Sequence, residues 1–450
     1  MAKNKIHIGN YRWVIVTLLL FLSTNNYVNR QVISYLKPLF CNSIANGGFG
    51  WNNTDFSFLV SAFVGVYALI SIFAGRVIDK IGTKLGLVIS LIIWSVFGMI
   101  NAFAGTLLAV NIFIRSLFAV GEAMLFPASN KTIAEWFPKK ERALAFGIFN
   151  SGTNIGAMIA ALFVPWCLSF WGNNPGWKLA FLITGASGFI ILALWVSLYN
   201  SPSRHKNLSV TEYNYIHMDE SGQETAQQGN TEKIPWTKLL KYRQTWSFFW
   251  GKFLTDGVWW FYLIWLPDYL IKQFGMSNMD VRWPTFIVYG VAIIGSVFGG
   301  SIPMFLINKG LPVYKARMRA MLVIAVLPLI VLTAQYFGNT QRFGHASMFL
   351  AISIISIAAA AHQAWSANLF TTVSDMFPKK TVASITGIGS LAGGIGGIFI
   401  QIISGRLNDI FIRTPQTAYL IMFIICALVY ILAWIIIKGL VPEHKPIRDL

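Results

Sequence analysis

Three ionisable residues stand in stretches that are otherwise largely apolar: Arg30 in "NYVNRQVISYL", and Arg115 and Glu122 in "IRSLFAVGEAMLF". A charge placed in hydrocarbon costs at least about 2.5 kcal/mol, so such residues normally face a polar cavity and one another. Arg115 and Glu122 are seven residues apart, which is two helical turns and about 10 Å along one face. That is too far for a simple direct pair. A ligand with one carboxylate and several hydroxyls fits between them. An arginine would grip the carboxylate through its planar fork, and Glu122 would take up and release a proton beside it. Tyr27, Tyr67, Asn150, Thr153 and Asn154 add hydrogen-bonding groups suited to sugar hydroxyls. Three further deep charges, Lys131, Lys252 and Asp256, read as contacts within their own helix bundles.

The chemistry these residues exclude is equally informative. There is no zinc-ligand spacing, nucleophile elbow or phosphate-binding loop, so no enzyme activity, cofactor or metal is expected. Cys41, Cys167 and Cys426 have no ligand spacing and read as free thiols.

The elements that must position these side chains are membrane-spanning helices. The 450 residues are 55% apolar and only 12% charged, against about 25% charged in a soluble protein. Twelve mostly apolar runs, each long enough to cross a bilayer core of about 30 Å, are expected at 11–36, 55–78, 84–107, 108–135, 141–170, 177–198, 244–272, 283–307, 317–336, 345–375, 382–408 and 416–438. The first has no cleavage pattern and reads as retained. With twelve crossings both termini share one face. Most of the 35 Lys and Arg fall on that face, so it reads as cytoplasmic and the protein as multi-pass in a plasma membrane. The net charge of +18 is then a topology signal and a preference for anionic lipid, not a nucleic-acid footprint.

The polar stretch 200–243 divides the chain into an N-terminal unit, 1–199, and a C-terminal unit, 244–450, of six spans each. Its centre, "SGQETAQQGNTE", is poor in apolar residues and predicts a mobile linker. The two units repeat. The segment beginning at Lys131 aligns without gaps on the one beginning at Thr371, an offset of 371 − 131 = 240, with about ten identities in thirty positions, "FPKK" among them. An even number of spans separates the copies, so they run the same way through the bilayer, as in two bundles that rock about a site between them. At this offset Glu122 maps to His362, which places His362, Gln363, Trp365 and Asn368 on the second-half wall of the cavity. The glycines of "GIGSLAGGIGG", 387–397, predict close helix contact in span eleven.

The loop after the second span, "GRVIDKIGTKLG", resembles the signature of the major facilitator superfamily through Gly75, Asp79, Gly82 and Lys84. The stretches "NYVNRQVISYLKP", "RSLFAVGEAMLFPASNKTIAEWFPKKERALAFGIFNSGTNIGAMI" and "AHQAWSANLFTTVSDMFPKK" resemble its anion:cation symporter family and, within that, the bacterial hexuronate transporters. The resemblance implies an all-α membrane protein, twelve helices in two pseudo-symmetric six-helix bundles, and proton-coupled symport of glucuronate or galacturonate by a monomer in the bacterial inner membrane. Its partners would be a small organic anion and protons. Asp79, with Arg142, would latch the cytoplasmic side through the opposite bundle. One departure stands out: many relatives carry an aspartate immediately before the span-one arginine, and this chain has Asn29. The alternatives are another sugar acid, such as galactonate or gluconate, or an uncoupled facilitator or sensor on the same scaffold.

Overall fold

A computed structural model describes residues 9–218, 235–443 and 447. Twelve long helices, numbered here in chain order, carry the chain back and forth: α1 Tyr11–Phe40, α2 Asn53–Ile81, α3 Thr83–Ile100, α4 Leu108–Trp136, α5 Lys139–Trp171, α6 Asn173–Leu198, α7 Arg243–Phe274, α8 Arg282–Asn308, α9 Val313–Phe337, α10 Ala346–Met376, α11 Lys379–Ile410 and α12 Pro415–Leu440. Ten are long and apolar enough to cross a membrane on composition alone. The other two, α1 and α7, are the first helices of their halves. Both give up hydropathy to the polar residues they bring to the centre, among them Asn25, Asn26, Asn29, Arg30 and Gln31 in α1 and Lys252 and Asp256 in α7.

Large apolar side chains such as Phe103, Phe113, Phe170, Phe298, Phe349 and Ile435 stand exposed on the outer surface, as lipid-facing residues do. Within each half, small residues bring helices together. Gly152 and Gly156 of α5 lie against the backbone of α1, where a Cβ would come within 2.7 and 2.4 Å of the Leu20 and Thr24 carbonyl oxygens.

The halves meet along α2 with α11, α5 with α8 and α1 with α7. We call the face where α1 begins and α12 ends the terminal face, and the opposite one the far face. Among the described residues, the hydrogen bonds and ion pairs that join the two halves gather toward the far face. Lys37 of α1 pairs with Asp268 of α7 at 2.7 Å, and Asp409 of α11 accepts from the backbone N–H groups of Asn53 and Thr54 at 2.9 and 2.7 Å. The positive end of the α2 dipole thus meets a carboxylate from the other bundle. On the terminal half of α2, Leu69, Phe73 and Val77 are exposed. The two bundles are thus tied together at the far face.

The linker expectation needs correction at its start. Residues 202–216 include a short turn, Pro202–Arg204, and a helix, Val210–Ile216, docked on the N-terminal bundle. Buried Glu212 accepts from the first backbone N–H groups of α1, Tyr11 and Arg12, at 3.1 and 3.0 Å and pairs with the Arg12 side chain at 3.1 Å. The reason is a helix start that needs an anion, which a polar stretch can supply without a core of its own. The centre of the linker, 221–232, lies outside the described residues.

Candidate functional site

Arg30 and Glu122, 92 positions apart in the chain, meet in the middle of the N-terminal bundle. The Nε and Nη2 atoms of Arg30 lie 2.9 and 2.8 Å from Glu122 Oε2, and both residues are almost fully buried. Glu122 Oε1 has no protein partner. Arg115 does not join the pair. Its Nη2 donates to the carbonyl of Arg30 at 2.8 Å, and its Nη1 is left without a partner. An unpaired guanidinium nitrogen and an unpaired carboxylate oxygen, buried together, are costly unless a ligand or water meets them.

The local fold explains why Glu122 is presented here. The α4 helix breaks immediately after it: the regular helix Leu108–Glu122 gives way to a turn and resumes as Leu125–Trp136. The carbonyl of Gly121, which would accept from Leu125 in an unbroken helix, accepts instead from Ser90 Oγ of α3 at 2.6 Å. Only glycine permits that approach, since a Cβ at position 121 would lie 2.6 Å from the Trp94 backbone nitrogen.

Four aromatic rings surround the Arg30 guanidinium. The centroids of Tyr27, Tyr67, Phe63 and Trp260 lie 4.5, 4.8, 5.4 and 5.5 Å from its central carbon. Such contacts stabilise a desolvated cation by about 1–2 kcal/mol each at best. Trp260 belongs to α7, so the ring set spans both bundles. Asn29 takes no part. Its side chain turns toward α6 and donates to the carbonyls of Asn25 and Thr184 at 3.0 and 2.9 Å. The charge that balances Arg30 comes from α4, not from its own neighbour.

The other candidates divide. Asn150 is partly exposed and Thr153 buried, the Thr153 hydroxyl donating to the Asn150 carbonyl at 2.8 Å, and the buried Asn154 leaves its Oδ1 without a partner. On the second-half wall only Gln363 is partly exposed. His362 is enclosed, its Nδ1 2.8 Å from the Tyr430 hydroxyl and its ring stacked on Trp259. Trp365 packs edge-on against Tyr430, and Asn368 donates to the carbonyls of Gly299 and Ala364, both at 2.8 Å. All three are buried and find these partners within the C-terminal bundle. Lys252 pairs with Asp256 one turn on, at 2.6 Å, within the same helix.

In the signature loop, Gly82 turns the chain between α2 and α3 at φ +84°, and Lys84 donates to Asn200 at 2.8 Å. Among the described residues, nothing beyond its own helix backbone and chain neighbours lies within 4 Å of where a Cβ at Gly75 would stand. Asp79 pairs at 3.0 Å with Lys131 of its own bundle, whereas Arg142 donates to the carbonyls of Phe137 and Ala134, both at 2.9 Å. Among the described residues, the contact expected between Asp79 and Arg142 or the opposite bundle is not made.

Sequence reasoning missed the far-face cluster. Lys37, Asp268, Lys272, Asn53, Asn408 and Asp409 form one network, with Lys272 reaching Asp268 at 2.9 Å and Asn408 at 3.0 Å. Each charge lies near the end of an apolar run, where charged residues are ordinary interface anchors.

Two six-helix bundles closing at one face over a buried, partly unsatisfied ion pair are the architecture of a transporter that alternates access to a central site, and not of an enzyme. The chain belongs to the Major Facilitator Superfamily, whose family model matches residues 15–400. It is a multi-pass membrane protein. It is 28% identical over 420 residues to the hexuronate transporter of Escherichia coli K12, covering 92% of each chain. It is 30% identical over 302 residues to the galacturonate transporter of Dickeya chrysanthemi, covering 66% of this chain and 83% of that one. In fold it is similar to a bacterial homologue of the human lysosomal transporter Spinster, with a TM-score of 0.71 at 20% identity over 96% of this chain and 99% of that one.

Proposed function

We propose that this protein is a proton-coupled symporter for a sugar-acid monoanion, a hexuronate such as glucuronate or galacturonate. It would work as a monomer in a bacterial inner membrane with its terminal face toward the cytoplasm. The observation that carries the reading is the buried Arg30–Glu122 pair with Arg115 held beside it. A substrate carboxylate that takes the Arg30 fork displaces Glu122. The displaced carboxylate would then be a buried, unpaired charge, which costs about 3–5 kcal/mol, and a proton on Glu122 removes that cost. Substrate therefore brings a proton, and the pair is released together when the cavity opens to the cytoplasm. With Asn29 unable to exchange a proton and His362 enclosed in the C-terminal bundle, one proton accompanies one monoanion. Names of the relatives favour a hexuronate over galactonate or gluconate. An uncoupled facilitator or sensor would have no use for the buried carboxylate.

Radiolabelled uptake into vesicles, across a panel of sugar acids with and without an imposed pH gradient, tests the reading. Glucuronate and galacturonate should accumulate only with the gradient. Uptake of no sugar acid, or accumulation indifferent to pH, would overturn it.

Two carboxylates would set which face is open. Asp268 holds buried Lys37 across the bundles, so Asp268→Asn should release the far face and raise labelling of cysteines placed there several-fold. Asp79 would act in the outward-open arrangement, and Asp79→Asn should shift accessibility the opposite way while the amount of folded protein stays similar. Unchanged labelling in both variants would reduce them to ordinary structural charges.

A further inference from the structure

We infer that Trp260 is the C-terminal bundle's contact with the substrate and selects a closed sugar ring over an open chain. The inference rests on the sugar-acid reading above and adds a residue and a criterion that reading does not contain. Trp260 is the side chain from α7 that reaches the Arg30 guanidinium, 5.5 Å from ring to cation. A carboxylate held by Arg30 therefore has the indole beside it. Trp94, Trp136, Trp265 and Trp365 are fully buried, whereas Trp260 keeps part of its surface open. Two polar groups expected from the opposite wall have partners within the C-terminal bundle, His362 the Tyr430 hydroxyl and Asn368 the carbonyls of Gly299 and Ala364. From that side the Trp260 indole reaches the guanidinium, with the Asp256 carboxylate one turn before it on α7.

That surface is held in place on three sides. A Cβ at Gly397 of α11 would lie 2.9 Å from the indole, so only glycine leaves the ring its position. Gln401 of α11 donates to the Trp260 carbonyl at 3.2 Å and accepts from the Trp265 indole at 2.7 Å, fixing the backbone of α7 on both sides of the ring. Phe63 of α2 meets the indole edge-on at 6.1 Å. A rigid, partly open indole offers a flat apolar face. The C–H face of a pyranose uronate matches it in shape and buries apolar area there, whereas an open-chain aldonate of the same charge has no such face and would lose chain freedom to lie flat.

The test is binding of galacturonate and galactonate, both monoanions, to purified Trp260→Leu and Trp260→Phe protein. Trp260→Leu should weaken galacturonate at least tenfold and galactonate less than threefold, and Trp260→Phe, which keeps a ring and most of the packing, should fall between wild type and Leu for galacturonate. Gly397→Ala, which displaces the indole without removing it, should reproduce the selective loss. Equal weakening of both ligands would make Trp260 a residue of bundle packing alone, and no weakening of either would remove it from the site. Both results overturn the inference. If the wild-type protein binds neither sugar acid, the sugar-acid reading itself fails, and that outcome is visible before any variant is made.

Discussion

Glu122→Gln should bind substrate and exchange it across the membrane, yet lose accumulation driven by a pH gradient. Glutamine keeps the size of the protonated acid and its ability to accept and donate hydrogen bonds, but it cannot give up a proton. The variant is therefore fixed in the state that wild type reaches only after taking up a proton. Arg30, freed from its partner at 2.8 Å, remains available to a substrate carboxylate. For one proton per monoanion, each pH unit drives about tenfold accumulation, equivalent to about 1.4 kcal/mol. Wild-type vesicles should approach that ratio, and Glu122→Gln vesicles should stay near unity while counterflow of labelled for unlabelled substrate continues. Gradient-driven accumulation that survives the substitution would move coupling to another carboxylate. Asp256 is the first to test, because it lies on α7 one turn before Trp260 and is paired with Lys252 of the same helix.

Arg30→Lys and Arg115→Lys should each weaken substrate binding by more than tenfold, about 1.4 kcal/mol or more. Lysine keeps the charge but presents a single ammonium in place of the flat fork, so it cannot hold a carboxylate in two parallel bonds. At Arg30 the loss is compounded by geometry, since the four surrounding rings fit a planar cation. At Arg115 the bond to the Arg30 carbonyl fixes where the free Nη1 points, and a lysine would have to choose between the carbonyl and the ligand. Titration calorimetry on purified protein reads the effect, with thermal unfolding as the check that the variants are folded. Wild-type affinity in both would take the carboxylate away from these arginines.

Much of this protein is decided by the sequence alone, because a bilayer simplifies the problem. A run of about twenty apolar residues has one practical fate in hydrocarbon, so the twelve long helices fall where the runs are, within a few residues at most ends. A charge inside such a run has to be explained by function or by a partner, which singles out Arg30, Arg115 and Glu122 before any contact is known. The direct repeat fixes that two bundles share a direction and a depth.

Tertiary structure decided the partners. A polar residue in a span can face the cavity or bind a neighbouring helix, and the two uses have the same composition. Asn29 went to α6, and His362, Trp365 and Asn368, which the repeat set at the depth of Glu122, found partners in the C-terminal bundle that spacing does not reveal. The glycines of α11 were legible as a close-contact surface, but not as the seat of Trp260 and Asp256, which depends on α7 lying against it. Least legible of all was the far-face network. Lys37, Asp268, Lys272 and Asp409 lie near the ends of spans, where a charge needs no explanation, and only the docking of one bundle on the other takes Lys37 and Asp268 out of water and makes them each other's partners.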